Sequence, residues 1–286
     1  MATPRENHLF CFGLGYTARV LARRLIAQGW RVSGTTRDAD KVAALTADGI
    51  AVHRFAPDAP LDPALLADAS HLLSAVPPEA GGDPVLAVHG ADLAALAPAW
   101  VGYLSTTGVY GDRAGGWVDE AGALAPVGAR GRRRVAAEAG WRALGLPLHI
   151  FRLAGIYGPG RSALDTVRAG RAQRIDKPGQ VFSRIHVEDL ASVLAASIAR
   201  PNPGAVYNVA DDDPAPPEAV IAYACELLGR PAPPLIPFER AELSAMARSF
   251  YAESKRVANR RIKSELGVRL AYPDYRAGLA ALAAAR

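Results

Sequence analysis

His8-Leu9-Phe10-Cys11-Phe12-Gly13-Leu14-Gly15-Tyr16-Thr17-Ala18 is the stretch on which the reading of this chain turns. Its first five residues form a mostly apolar run of the kind that fills a central strand of a parallel sheet. A Gly-x-Gly-x-x-Ala follows. From Tyr16 to Gln28 the apolar residues Val20, Leu21, Leu25 and Ile26 recur at helical spacing, with Gly29 as the stop signal. In such a strand–turn–helix the first glycine permits the tight turn. The second removes a side chain where a ligand must approach the backbone, and the small sixth residue lets helix and strand pack closely. Unpaired N–H groups at the helix start favour an anion. Gly13, Leu14, Gly15, Tyr16, Thr17 and Ala18 are therefore expected to hold the pyrophosphate of a nicotinamide dinucleotide.

Outward from this unit, short apolar runs alternate with helical patterns, the signature of a parallel sheet with crossover helices. Strands are expected at Arg31–Thr35, Ile50–Phe55, His71–Ala75, Trp100–Ser105 and Leu148–Leu153. Helices are expected near Ala39–Ala47, Pro63–Asp68, Val85–Leu96 and Ala129–Leu144. Beyond Arg152 the pattern loosens. A helix fits Val187–Ala199 and a strand fits Ala205–Val209. Asp211-Asp212-Asp213-Pro214 reads as a helix-start signal, with helices over Pro217–Leu228, Ser254–Leu266 and Pro273–Ala285, and Pro231–Pro237 reads as a surface loop. The expected fold class is α/β, a Rossmann doubly wound parallel sheet with a smaller C-terminal substrate lobe. Residues 1–155 would form the dinucleotide-binding domain; residues 156–286 would complete its core and build the lobe. Ligands of such sheets lie beyond the carboxyl ends of the strands.

Composition narrows the class. Half of the 286 residues are hydrophobic, which supports a sizeable core rather than disorder. No apolar run is long enough to span a membrane, and residues 1–10 lack the basic-then-apolar layout of a secretory leader, so a cytoplasmic protein is expected. Cys11 and Cys225 stand at neither metal-ligand nor Cys-x-x-Cys spacing; both are expected reduced and buried, and no metal site is expected. The formal charge of +5 and pI near 9.4 suit anionic ligands such as phosphates. The dense cluster Arg130–Arg134 is too short and too poor in aromatics for a nucleic-acid groove. It reads either as solvated helix surface or as part of a site.

Where an NAD site would place an acid on the ribose 2′-hydroxyl, the second strand ends in Gly34-Thr35-Thr36-Arg37. Arg37 is suited to a 2′-phosphate, with Thr36 as a further donor. Asp38 and Asp40 fall where a helix cap and first turn would be. NADP(H) is favoured over NAD(H).

Further motifs line up in order: Ser105-Thr106-Thr107-Gly108-Val109-Tyr110-Gly111-Asp112; Arg152-Leu153-Ala154-Gly155-Ile156-Tyr157-Gly158-Pro159-Gly160; Arg184-Ile185-His186-Val187-Glu188-Asp189; Tyr207-Asn208-Val209-Ala210; and Ser254-Lys255-Arg256 with Leu266-Gly267. Over nearly the whole chain this series resembles the extended short-chain dehydrogenase/reductases, the family of sugar-nucleotide epimerases and dehydratases. Within them it resembles the atypical, YeeZ-type branch of nucleoside-diphosphate-sugar epimerases. The resemblance implies that Thr106, four positions before Tyr110, holds the substrate oxygen that gains or loses a proton. It implies that Ser74, Ala75, Val76, Ser105, Leu153, Ala154 and Gly155 line the cofactor. Thr107, Tyr157, Arg184 and His186 would face the substrate, although Arg184 and His186 read equally well as hydrogen-bond anchors at a helix start.

One departure from the family stands out. Its catalytic Tyr-x-x-x-Lys would fall eight and four residues before Glu138, where this chain has Arg130 and Arg134. An arginine stays protonated, so Arg130 cannot act as the phenolic acid/base. Arg134 could still supply the lysine's cation, and Tyr110 is the nearest phenol in sequence, either as a replacement proton donor or as packing for its turn. The Asp-Glu pair of the dehydratases is replaced by Thr107-Gly108, which argues against sugar dehydration. Two function classes remain open: an NADP(H)-dependent oxidoreductase or epimerase with a non-standard active site, and a catalytically silent NADP(H)-binding sensor or structural protein. The expected partner is a small molecule, with a nucleotide sugar as one candidate, and not nucleic acid or membrane. A homodimer is left open.

Overall fold

The computed structural model describes residues 7–285, so residues 1–6, part of the stretch inspected for a leader, lie outside it. The chain divides into two compact units. Unit 1 takes the chain up to Thr106, Ala129–Arg152 and Ala191–Tyr207; unit 2 takes Thr107–Gly128, Leu153–Leu190 and Asn208 onward.

Unit 1 is built on β1 (His8–Phe12), α1 (Tyr16–Ile26), β2 (Arg31–Thr36), α2 (Val42–Ala47), β3 (Ala51–Arg54), α3 (Ala64–Ala67), β4 (His71–Ser74), α4 (Pro84–Ala94) and β5 (Trp100–Thr106). After β6 (Trp117–Val118) in unit 2, α5 (Ala129–Ala143) and β7 (Leu148–Leu153) return to it. Unit 2 continues with β8 (Gly155–Tyr157), α6 (Ala163–Arg168), β9 (Arg174–Asp176) and β10 (Arg184–His186). Next, α7 (Val187–Ala199) and β11 (Val206–Val209) pass through unit 1, and α8 (Pro217–Leu227), β12 (Leu235–Pro237), α9 (Ala245–Phe250), β13 (Arg256–Val257), α10 (Arg260–Ser264) and α11 (Tyr275–Ala284) complete the chain. The main sheet runs β11-β7-β5-β4-β1-β2-β3. β1 pairs in parallel with both β2 and β4, so the chain winds outward on one side of β1 and then resumes on the other. That reversal is the topological switch point, where the doubly wound architecture puts its ligand.

β1 is buried along its whole length because helices cover both faces of a parallel sheet. Phe10, Phe12, Leu66, Leu72, Val85, Leu93, Val101, Tyr103 and Trp141 form the core beside it. Trp100 donates its indole N–H to Ser197 Oγ at 3.0 Å, a buried polar group satisfied within the unit. In unit 2 the strands form two-stranded parallel ladders: β8 with β10, β9 with β12, and β6 with β13. Its main core joins Tyr157, Leu164, Val167, Val220, Ala224, Tyr275 and Leu279. Both cysteines are buried and unpaired. No described helix is long and apolar enough to cross a membrane.

Three expectations fail in unit 2. Ser254–Leu266 is not one helix, because the amides of Arg256 and Ala258 donate to the carbonyls of Gly116 and Val118 at 2.9 Å and draw the segment into a strand. Helix begins only at Arg260. The proline-rich loop ends as a strand, Leu235–Pro237, whose one proline, at its end, removes a donor that a short edge does not need. Asp211-Asp212-Asp213 does not start a helix. α8 begins at Pro217 with no side-chain cap, while Asp212 accepts from Asn259 and Lys263, and Asp213 pairs with Arg276.

Gly34 on β2 shows how tightly the switch point is packed: a Cβ there would overlap the Cys11 carbonyl oxygen and lie 2.9 Å from the Cys11 Cβ. Gly34→Ala is expected to lower stability by about 1–3 kcal/mol through overpacking. Chemical denaturation with an unshifted midpoint would contradict that reading.

Candidate functional site

The glycine turn is shaped by backbone constraints that can be read residue by residue. Gly13 has φ +86°, a left-handed conformation that residues with a Cβ rarely adopt. Its amide donates to Thr35 Oγ1 at 2.9 Å, and the next amide, of Leu14, donates to the Thr35 carbonyl at 2.7 Å. The end of β2 therefore anchors the turn that follows β1. A Cβ on Gly13 would sit 3.1 Å from Val76 and 3.4 Å from the Ala75 carbonyl carbon, so the segment after β4 closes over the same point. Gly15 is the N-cap of α1 and has no side chain to satisfy the first-turn amides; that turn also carries no acid. A Cβ on Gly15 would meet no protein atom within 4 Å. Ala18 is wholly buried, as close helix–strand packing requires. The Ser74 hydroxyl, at the end of β4, is buried without a protein partner. An open approach, an uncapped helix start and an unpartnered hydroxyl fit a phosphate-bearing dinucleotide.

Thr36 and Arg37 follow at the end of β2. Thr36 Oγ1 accepts from the Asp38 amide at 3.1 Å, and Asp38 caps the short turn after it by accepting from the Asp40 amide. Arg37 is 76% exposed, with Glu79 Oε1 3.4 Å away, a solvated pair worth little by itself.

At the far end of β5, Ser105 turns its hydroxyl to Glu138 Oε1 at 2.6 Å instead of toward a ligand. Arg134 donates from Nη1 to the Tyr103 hydroxyl at 3.1 Å and to the Leu104 carbonyl. Among the described residues its Nε and Nη2 have no hydrogen-bond partner. Thr106, the last residue of β5, is partly buried. Sequence reasoning missed Glu138 and Arg152 as functional neighbours. The only available signal was Glu138 on a helix face otherwise full of arginines.

The remaining expected residues belong to unit 2. Tyr110 is wholly buried and donates to Asn208 Oδ1 at 2.7 Å. Leu153 and Ala154 are buried, Gly155 is exposed, and the Ala154 and Gly155 amides bond to Val209 and Ser183. Tyr157 and Arg184 line a cavity of about 400 Å³ together with Arg161, Arg171, Ser162 and Tyr275. Arg184 donates from Nη1 to the Phe182 and Ala215 carbonyls at 2.8 and 3.0 Å, so it anchors the backbone and faces the cavity at once. His186 does not line the cavity. Its ring packs on Tyr157 and Tyr272, Nδ1 accepts from the Glu188 amide at 3.3 Å, and burial lowers its pKa, which favours the neutral ring. Thr107 begins the short helical turn that ends at Tyr110.

Asp211 was not singled out by the sequence beyond its place in the acidic triplet. It is 1% exposed, and among the described residues no group donates to either carboxyl oxygen with hydrogen-bond geometry. Burial raises its pKa to about 8, against the opposing pull of Arg184 and nearby amides. In the unfolded chain the same acid titrates near 3.8. The folded state therefore holds the extra proton between these values, and Asp211 should make stability fall as pH rises from about 4 to about 8. Asp211→Asn, which mimics the neutral acid, should remove that part of the slope. Melting curves over this range that fall equally in both proteins would rule the buried acid out.

No protein-family model matches the chain. Protein YeeZ of Escherichia coli K12 is 30% identical over 277 residues, covering 92% of this chain and 95% of YeeZ. A solved structure of a functionally unknown conserved protein from Silicibacter pomeroyi is 58% identical, covers 97% of this chain and 98% of its own, and superposes with a TM-score of 0.91. MoeE5, solved in complex with UDP-glucose and NAD, shares the fold with a TM-score of 0.75 at 19% identity, over 97% of both chains. With a matching order of motifs, a glycine turn at the switch point of a doubly wound sheet, and YeeZ aligned over almost its full length, this chain belongs to the YeeZ family, of the extended short-chain dehydrogenase/reductase type.

Proposed function

We propose that the protein is an NADP(H)-dependent oxidoreductase or epimerase of the extended short-chain type, acting on a carbonyl or secondary alcohol of a sugar-nucleotide-like substrate. The observation that carries this reading is the turn at Gly13–Ala18, open above Gly15 and uncapped at the start of α1. When bound, the nicotinamide would supply hydride chemistry. The chain's own residues supply the rest. The α1 amides would hold the pyrophosphate, with Ala75 and Val76 closing over the turn. Arg37 would meet the 2′-phosphate in place of Glu79, at the end of β2 where an NAD site would set an acid on the ribose hydroxyl. NAD bound to MoeE5 supports the dinucleotide itself and leaves the 2′-phosphate preference to Arg37.

Thr106 would hold the reacting oxygen. Arg134, tied to β5 through one nitrogen, keeps Nε and Nη2 for the cation role of the family's lysine. The Arg161, Arg171 and Arg184 side chains around the unit 2 cavity suit the anionic part of a nucleotide sugar. A second reading, binding of NADP(H) without turnover, is favoured by the burial of Tyr110 and by arginine at position 130, which leave no phenol in the expected role.

Calorimetry should give tighter binding of NADPH than of NADH, and Arg37→Asp should reduce that preference roughly tenfold or more, the worth of a charge-assisted contact. Equal affinities in the wild type would remove the NADP assignment. Gly15→Val should fold normally, because no protein atom opposes the new side chain's Cβ, and should lose dinucleotide binding. Retained binding would show that the turn has another purpose.

On any substrate that consumes NADPH, Thr106→Val should cost about 10²–10⁴ in rate with NADPH affinity intact. Inertness of the wild type across a panel of carbonyls and nucleotide sugars would favour the silent reading.

A further inference from the structure

Glu138, on α5, is wholly buried, and Arg152, on β7, is 3% exposed. Arg152 grips the carboxylate with two nitrogens, Nε to Oε1 at 3.1 Å and Nη2 to Oε2 at 2.8 Å. The Ser105 hydroxyl donates to Oε1 at 2.6 Å, and Arg142 Nη1, one turn further along α5, lies 3.5 Å from Oε2. One helical turn earlier, Arg134 holds Tyr103 and the Leu104 carbonyl. The three consecutive β5 residues before Thr106 are thus each bound by a side chain of the same helix.

A buried ion pair is weak evidence for stability, since the cost of desolvating both charges roughly cancels their attraction and apolar replacements are often tolerated. Its geometric consequence is firmer. With its one proton given to a carboxylate that Arg152 holds rigid, Ser105 has a single favoured rotamer, and the strand end is fixed one residue before Thr106. We infer that Glu138 is a positioning residue, which through Ser105 sets the orientation of Thr106. The inference rests on the proposed role of Thr106 for its functional meaning, whereas the geometry it asserts does not depend on that role.

The test follows the Thr106 methyl group by NMR in the full-length protein labelled at threonine methyls. Ser105→Ala removes the donor. Glu138→Leu with Arg152→Met removes the clamp while offering an apolar core that should keep the melting temperature within a few degrees. Both proteins should shift the Thr106 methyl resonance and lower its order, and both should speed amide exchange at 105–107 by roughly tenfold, the worth of the lost charge-assisted bond. The triple variant should add nothing further, because the residues act as one chain.

An unmoved Thr106 signal in Ser105→Ala would overturn the inference, and that variant decides the matter if the apolar pair fails to fold. A lower melting temperature with Thr106 unmoved would also overturn it, leaving the cluster a structural brace. NADPH titration of the wild type, run alongside, separates the two proposals: failure to bind would count against the dinucleotide reading and leave the NMR result standing.

Discussion

The close approach of β1 and β2 is the constraint on which unit 1 depends. Gly34 lets the Cys11 carbonyl come within reach of its own backbone, and that closeness lets Thr35 catch two successive amides of the turn at Gly13 and Leu14. The left-handed Gly13 then sends the chain into α1 without any side chain available to cap it. A helix start left unsatisfied in this way is a cost to an isolated fold and an asset to one that receives a phosphate. Two different glycines divide the work: Gly34 lets the strands approach, and Gly15 leaves the space above the turn free of protein atoms.

A second layer of organisation runs along α5. This helix carries arginines at 130 and 134 and a buried glutamate at 138. Arg134 and Glu138 bind the strand beneath them, so the helix face serves as a clamp on the end of β5. Guanidinium is suited to this task because its planar fork can hold a carbonyl and a hydroxyl together, and unsuited to proton transfer because it does not release its proton near neutral pH.

Unit 2 concentrates its unusual electrostatics around one buried acid. Asp211 and Arg184 are joined by a backbone hydrogen bond of 2.6 Å yet do not form a salt bridge, so the guanidinium is left to backbone carbonyls and the cavity. A carboxyl buried without donors keeps its proton well into the neutral range, as Asp211 does. The cavity lining itself sets Arg161, Arg171 and Arg184 against the carboxylate of Asp165.

The sequence by itself determined the doubly wound half of the molecule. Apolar runs of strand length alternating with helical periodicity leave few other ways to bury both faces of a sheet, and Gly13, Gly15 and Ala18 have backbone requirements that any structure of the motif must meet. The bounds of β1, α1, β2, β7 and α7 were legible to within a residue or two for that reason. In unit 2 the short strands were not legible, because β8, β9, β10, β12 and β13 each span two or three residues, too few to show a period. Ser254–Leu266 had helical spacing, but amides donating across to Gly116 and Val118 overrode it.

The same limit applied to side chains. Sequence could nominate Ser105, Tyr110 and His186 by motif, but their partners lie 33, 98 and 86 positions away, at Glu138, Asn208 and Tyr272. Only the tertiary structure decided that these three groups are engaged with the protein itself, since the energy of a buried polar group depends on what the fold brings within 3 Å of it and not on its neighbours in the chain.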